Sequence, residues 1–259
     1  MFLFYKGFFK IRCKFAIAIS FRILNLKSRI TNLKSEKVSY ILNIETATKN
    51  CSVALAKEGK TIMCKEIAEE GYSHAERLHV FIEEIINEAG IGMKDLVAVA
   101  VSQGPGSYTG LRIGVSAAKG LCYALGIPLI AVDTLLVLAS KVSETKGLIV
   151  PMIDARRMEV YSAVFSTVLE KKREVLAEII TENSFEDFTD TVYFVGDCNE
   201  KCKTVLTKEN FIFLDGIKYP SANEMCALSF DKYKKSDTVD VAYFEPYYLK
   251  DFLITASKK

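Results

Sequence analysis

The sequence predicts an α/β protein in which short strands alternate with helices, and three stretches carry that expectation. Residues 97–126 place valine at every second position (Val97, Val99, Val101), pass a turn with Gly104, Pro105 and Gly106, and enter a run rich in small residues: strand, tight loop, helix. Residues 40–67 read as three strands joined by short turns, the antiparallel start of a sheet. Residues 73–90 carry leucine and isoleucine at helical spacing. With 259 residues, 50% of them hydrophobic, the chain can build one large or two modest domains with a proper core.

Taken in order, residues 1–37 stand apart. They hold nine Lys/Arg and one acid, Glu36, a charge of +8; the whole chain is only +2, which leaves −6 for 38–259. An acidic body is a poor stand-alone binder of nucleic acid, whose attraction to proteins is mostly phosphate neutralisation. The longest uncharged run of this segment, 15–21, is too short to span a bilayer or to serve as a good signal core. Seven cysteines without CxxC spacing, and no clean secretory signal, point to a reducing cytosol. Cys198 and Cys202 have a poor zinc or redox spacing, so all seven read as small hydrophobes.

In the first strand Tyr40, Leu42 and Ile44 share one side; strands 51–56 and 61–67 follow, joined by the hairpin 57–60. Ser73 and Glu76 make a capping-box pattern, Leu78, Ile82, Ile85, Ile86 and Ala89 form a core stripe, and Gly90 closes the helix. His74 and His79 are the only histidines and sit five apart, roughly 140° around the helix. Two metal ligands on one helical face need a spacing of three or four, so no metal site is expected.

Glycines at 104 and 106 let backbone come close to something, and the following helix start offers unpaired N–H groups. Two readings stand: a site for an anion or a carbonyl, or a structural turn with a Ser or Thr cap on a buried helix. Neither a Walker A loop nor a Rossmann fingerprint is present, because Gly106 leads to Gly110 and Leu111 without a lysine and Thr109 occupies the last glycine position. In the helix up to Gly126, apolar or small residues cover well over half the circumference. Gly110, Gly114 and Ala118 recur every four residues as a low ridge that admits another backbone. One face is expected on its own sheet; the other awaits a partner or is interior as well.

Residues 128–132 form a strand, Asp133 and Thr134 cap a helix to about 142, and the polar 141–146 crosses to a second lobe. Three strands (147–153, 159–166, 174–180), a buried strand 192–195 ending at Gly196-Asp197, and helices 199–206 and 221–234 complete it. Residues 243–252, with Tyr243, Pro246, Tyr247 and Tyr248, form an aromatic tail. Asp154-Ala155-Arg156-Arg157 at a strand end fits either a phosphate or carboxylate contact or a solvated turn. The domain expectation is therefore 1–37 as a basic extension, 38–143 as lobe I and 144–259 as lobe II with its tail. No nucleophile elbow and no HExxH occur, so catalysis by this chain alone is not expected.

Four strings carry a resemblance: ILNIETATKNCSVAL at 41–55, SHAERLHVFIEEI at 73–85, GPGSYTGLRIGVSAAKGL at 104–121 and DARRMEVYSAVF at 154–165. Together they resemble the TsaB family, bacterial tRNA threonylcarbamoyladenosine biosynthesis proteins and glycoprotease-like relatives of TsaD, over about 38–250. The resemblance implies two ribonuclease-H-like (actin-like ATPase) lobes, mixed sheets flanked by helices, with the second lobe abbreviated. It implies a non-catalytic, cytoplasmic partner of TsaD, forming a heterodimer through helices 73–90 and 110–126, with Leu78, Ile82, Ile85, Gly110, Ile113, Gly114, Ala117, Ala118 and Leu121 at the interface. TsaE, an ATPase, is the further protein partner and tRNA is reached through the complex; a homodimer through the same helices is the other arrangement.

The same resemblance implies no cofactor of its own, with ATP or ADP at the complex interface. In actin-like ATPases the opening hairpin holds ATP phosphates and strand one ends on an aspartate; this chain has Glu45, one methylene longer. The residues that such a cleft or nucleotide would meet are Glu45, Thr46, Gly104, Gly106, Ser107, Tyr108, Thr109, Gly196 and Asp197. TsaD binds its metal through paired histidines on a matching helix, and this chain lacks that pair. Family members begin near Val38, which is the expected start of translation, a membrane-surface or targeting arm being the other reading of 1–37. The runner-up function is a nucleotide-binding enzyme or glycoprotease-like peptidase of the same superfamily.

Overall fold

A computed structural model describes residues 38–68 and 74–249; expectations placed on 1–37, on Ser73 and beyond 249 lie outside the described residues. The first sheet contains β1 (Tyr40–Glu45), β2 (Cys51–Lys57), β3 (Lys60–Ile67), β4 (Leu96–Ser102) and β5 (Leu129–Val132), with α1 (His74–Glu88) between β3 and β4 and α2 (Tyr108–Leu125) between β4 and β5. After α3 (Thr134–Ala139) the second sheet follows: β6 (Leu148–Asp154), β7 (Glu159–Ser166), β8 (Lys171–Ile179), β9 (Val192–Gly196) and β10 (Phe211–Phe213), with the single turn α4 (Asn199–Cys202). A last helix, α5 (Ala222–Lys234), ends the regular structure. Among the described residues, no helix is long and apolar enough to cross a membrane.

The two sheets share one topology. Their strand orders are β3-β2-β1-β4-β5 and β8-β7-β6-β9-β10. In each, the first three strands are antiparallel neighbours and the fourth and fifth run parallel to the first. Hairpins can join antiparallel strands, whereas the step to a parallel neighbour needs a crossover, which α1 supplies in the first sheet. Between β8 and β9 the second sheet makes that step with turns alone, so it is the leaner copy.

Alternation decides which helix meets which face. On one face of the first sheet Leu42, Ile44, Val99 and Val101 pack under α1 and α2. On the other, Ile41, Ala54, Ala56, Ala98 and Ala100 meet Ala222, Met225 and Cys226 of α5. The alanines let α5 lie close, and Asn43, buried in the same surface, reaches the Cys226 sulfur at 3.4 Å.

The lobes exchange their last helices. Leu135, Leu138 and Ala139 of α3, which follows the first sheet, pack on Ile149, Ala163, Phe165 and Val195 of the second. Conversely α5 follows the second sheet and packs on the first. Both exchanged helices are capped: Asp133, as its sequence predicts, accepts from the N–H groups of Leu135 and Leu136, and Ser221 accepts from that of Asn223. The other Asp133 oxygen pairs with Lys171 Nζ of β8 at 2.9 Å. The boundary at 143 therefore divides the sheets but not the cores, since each core borrows a helix from across it.

Several element ends differ from expectation. α3 stops at Ala139, and the helix expected over 199–206 has one α-helical turn. The strand β10, three residues from a phenylalanine-rich stretch, has no counterpart in the sequence reading, because three residues carry too little alternation to be seen.

Candidate functional site

Glu45 ends β1 and is fully enclosed. Its Oε1 accepts from the Ala47 N–H at 2.6 Å and from Ser102 Oγ at 3.0 Å, while Oε2 has no hydrogen-bond partner among the described residues. Burial pushes its pKa up to about 7, against the downward pull of those hydrogen bonds. Thr46 beside it is also enclosed, its hydroxyl donating to the Gly110 carbonyl at 2.8 Å.

The glycine loop closes on the chain's own backbone. Ser107 N–H donates to the Ala47 carbonyl at 2.7 Å, Gly104 N–H to Thr134 Oγ1 at 3.1 Å, and Tyr247 N–H to the Gln103 carbonyl at 2.7 Å. Ser107 caps α2 by accepting from Gly110 N–H at 3.3 Å. Of the two readings of this loop, the geometry matches the structural turn: Gly104 and Ser107 spend their donors on protein acceptors. The close approach that glycine allows is to the β1–β2 turn. The Tyr108 ring lies tilted against that of Tyr248, centroids 4.9 Å apart, and Thr109 is exposed. Gly196 and Asp197 end β9, where burial raises the half-buried Asp197 carboxyl and its Oδ1 accepts from Asp154 N–H at 3.0 Å. The nine residues expected at a cleft are thus split: Glu45, Thr46, Gly104, Gly106 and Ser107 belong to one clasp, Tyr108 and Thr109 open α2, and Gly196 and Asp197 lie at the other sheet. A cavity of about 310 Å³ lies elsewhere, between Asn50, Glu66 and Lys141 and the segment 216–219.

The small ridge of α2 requires a correction. Gly110, Gly114 and Ala118 face inward. A Cβ on Gly110 would sit 2.1 Å from the Thr46 carbonyl oxygen, and one on Gly114 would sit 2.2 Å from Thr46 Oγ1. Leu78, Ile82 and Ile85 of α1 are likewise enclosed, against the first sheet. Six of the nine residues expected at a partner face are therefore core, because the backbone that approaches the ridge is the chain's own. Ile113, Ala117 and Leu121 are half-buried. What faces outward is a second stripe of α2, Thr109, Ser116, Gly120, Tyr123 and Ala124, with Ala75, His79 and Val80 on α1. Tyr123 is 86% exposed and Val80 40%. The histidines diverge as their spacing predicts: His74 Nε2 lies 2.7 Å from the Thr48 carbonyl oxygen, and His79 is exposed.

The aromatic tail packs back on the fold, as the family resemblance implies for this segment. Lys119 Nζ donates to the Ala242 and Phe244 carbonyls at 3.0 Å each, and Arg112 to the Tyr248 hydroxyl at 3.3 Å. The aromatic tail therefore lies along α2.

In the second sheet the β6–β7 turn is held from beneath by Lys201, whose ammonium donates to the carbonyls of Arg157 at 2.7 Å and Glu159 at 2.8 Å, and pairs with Asp154. Arg156 and Arg157 adopt positive φ, 75° and 52°. For residues with a Cβ this costs about 1 kcal/mol each. No sequence signal marks Lys201, since it lies over forty residues from its acceptors. Replacing it with methionine is expected to lower unfolding free energy by about 1–2 kcal/mol, read from the urea midpoint; an unchanged midpoint would show that the turn holds itself.

Two sheets of order 3-2-1-4-5, each covered by a helix from the other, define the class: a duplicated ribonuclease-H-like α/β protein of the actin-like ATPase type. A family model described as TsaD: tRNA N6-adenosine threonylcarbamoyltransferase matches residues 66–257. The tRNA threonylcarbamoyladenosine biosynthesis protein TsaB of Escherichia coli (strain K12) is 30% identical over 220 residues, covering 82% of this chain and 94% of that protein. TsaB of Bacillus subtilis (strain 168) is 29% identical over 223 residues, covering 81% and 93%. Among solved structures, YeaZ from Pseudomonas aeruginosa superposes with a TM-score of 0.73 at 24% identity, over 82% of this chain and all of that one (100%). The chain belongs to the TsaB family of tRNA threonylcarbamoyladenosine biosynthesis proteins.

Proposed function

We propose that this chain is the non-catalytic partner of TsaD, acting with the ATPase TsaE to move a threonylcarbamoyl group from its adenylate to the adenosine next to the anticodon of tRNAs reading ANN codons. The observation that carries this reading is likeness to TsaB across nearly the whole length of the relatives. A role beside TsaD places it in the cytoplasm, where tRNA is modified. ATP or ADP belongs at the interface of the complex and not in the Gly104–Ser107 clasp, two of whose donors are engaged within the chain. Measuring threonylcarbamoyl transfer by TsaD and TsaE with and without this chain tests the role: stimulation supports it, and equal transfer in both arms refutes it.

The outward faces of α1 and α2 supply the partner surface in this reading. A Cβ at Gly120 meets nothing within 4 Å, so Gly120→Glu leaves the fold intact and buries a charge on docking. We expect TsaD co-elution to weaken at least tenfold, about 1.4 kcal/mol or more. A homodimer would use the same face, and light scattering of the chain alone and with TsaD separates the two arrangements. Co-elution of Gly120→Glu at wild-type strength would move the interface elsewhere.

A further inference from the structure

We propose that the β6–β7 tip, through Arg156 and Arg157, binds phosphodiester groups of the substrate tRNA. The inference rests on the tRNA-modification reading and adds a ligand to a part of the molecule which that reading leaves unused. Both arginines are exposed. Neither guanidinium has a hydrogen-bond or ion-pair partner among the described residues. Five other cations of the same lobe, Lys171, Lys172, Arg173, Lys201 and Lys203, each hold a carboxylate.

The tip is also built to present them. Lys201 ties the carbonyls of Arg157 and Glu159 inward. Arg156 N–H donates to Asp154 Oδ1 at 3.1 Å, and Glu159 N–H to the Arg156 carbonyl at 3.1 Å. Both arginines sit at positive φ, where glycine or asparagine would rest without strain. Long cations at such positions, unneutralised on an acidic body, fit an anion brought from outside, held chiefly by charge. The body's own negative charge, −6 over 38–259, makes broad attraction to RNA weak. Two phosphate contacts therefore serve to set position more than affinity. A carboxylate on a protein partner is the competing ligand; the proposed TsaD face, however, lies on helices of the other sheet.

The test uses the reconstituted complex of the full chain with TsaD and TsaE, and unmodified tRNA transcript. R156G/R157G removes the charge and suits the turn's φ; R156K/R157K keeps the charge. The glycine pair is expected to raise the KM for tRNA about fivefold and to flatten the salt dependence of tRNA binding by about one to two units of log–log slope. The melting temperature does not fall below that of wild type, TsaD co-elution stays at the wild-type value, and the lysine pair recovers most of the loss. Unchanged KM and slope overturn the proposal, as does a lysine pair that fails as badly as the glycine pair. Loss of TsaD co-elution in the glycine pair also overturns it, assigning the tip to a protein carboxylate. If the wild-type chain does not stimulate transfer at all, the functional reading fails; normal stimulation with an indifferent tip refutes this inference alone.

Discussion

A chain carrying Gly110→Ala is expected to lose about 3 kcal/mol of stability, although alanine is ordinarily the better helix residue. The added methyl would lie 2.1 Å from the Thr46 carbonyl oxygen and 3.3 Å from its carbon. That carbonyl is backbone at the end of β1, a strand paired on both sides, so it cannot turn aside as a flexible side chain would. Either α2 lifts off the sheet or the β1–β2 turn is pushed out of it; overpacking of this kind costs about 1–3 kcal/mol and more where backbone must move. Gly114→Glu would meet a side chain, the enclosed Thr46 hydroxyl that is held by its bond to the Gly110 carbonyl, and would bury a charge there; it is expected to unfold the chain and not merely to detach a partner. Chemical denaturation of Gly110→Ala beside Gly120→Ala decides the matter. The second should be neutral or stabilising by up to about 1 kcal/mol, and equal effects at both positions would show that the ridge is not seated on Thr46.

The second large effect is a dependence of stability on pH that Glu45→Gln abolishes. The folded carboxyl has its pKa raised to about 7 from an ordinary value of 4.5, chiefly by burial. A raised pKa means that the folded state prefers the protonated acid. The contribution is fully present below pH 4.5, where both states hold the proton, and is lost as the pH rises to about 7. Across that window the loss is on the order of 3 kcal/mol. Glutamine cannot ionise, and its amide oxygen can still accept from Ala47 N–H and Ser102 Oγ. The variant should match wild type near pH 5 and exceed it at pH 8 by about 1–3 kcal/mol. Urea titrations at the two pH values test this, and a wild-type chain equally stable at both would mean that Glu45 reaches solvent or a cation when ionised.

How much of this was legible depends on the range of the interaction. Ser107 and Asp133 announce helix starts because a cap acts on N–H groups two or three residues away. The stripe Leu78, Ile82, Ile85 and Ile86 announces a buried face because the helical period is local. Which backbone would fill the groove over Gly110 and Gly114 was not legible. A ridge of small residues records that something comes close, and not whether it belongs to the same chain. The tie from Lys201 to the β6–β7 turn, and the crossing of α3 and α5 to opposite sheets, also join residues far apart in sequence, which periodicity does not report.

By itself the sequence determined that this protein is α/β, where most of its strands and helices begin and end, that residues 38–259 are acidic, and, through the string at 104–121, its family. These follow from charge counts, short-range periodicity and a motif, all of which survive without coordinates. The family resemblance implied two lobes of one kind; the tertiary structure alone decided that the lobes exchange helices, that Glu45 is sealed in, and that the outward face of α2 is Ser116, Gly120, Tyr123 and Ala124 and not the ridge. The reason is physical: a side chain's period names the faces of an element, but only the close packing of distant elements settles which face is left to water.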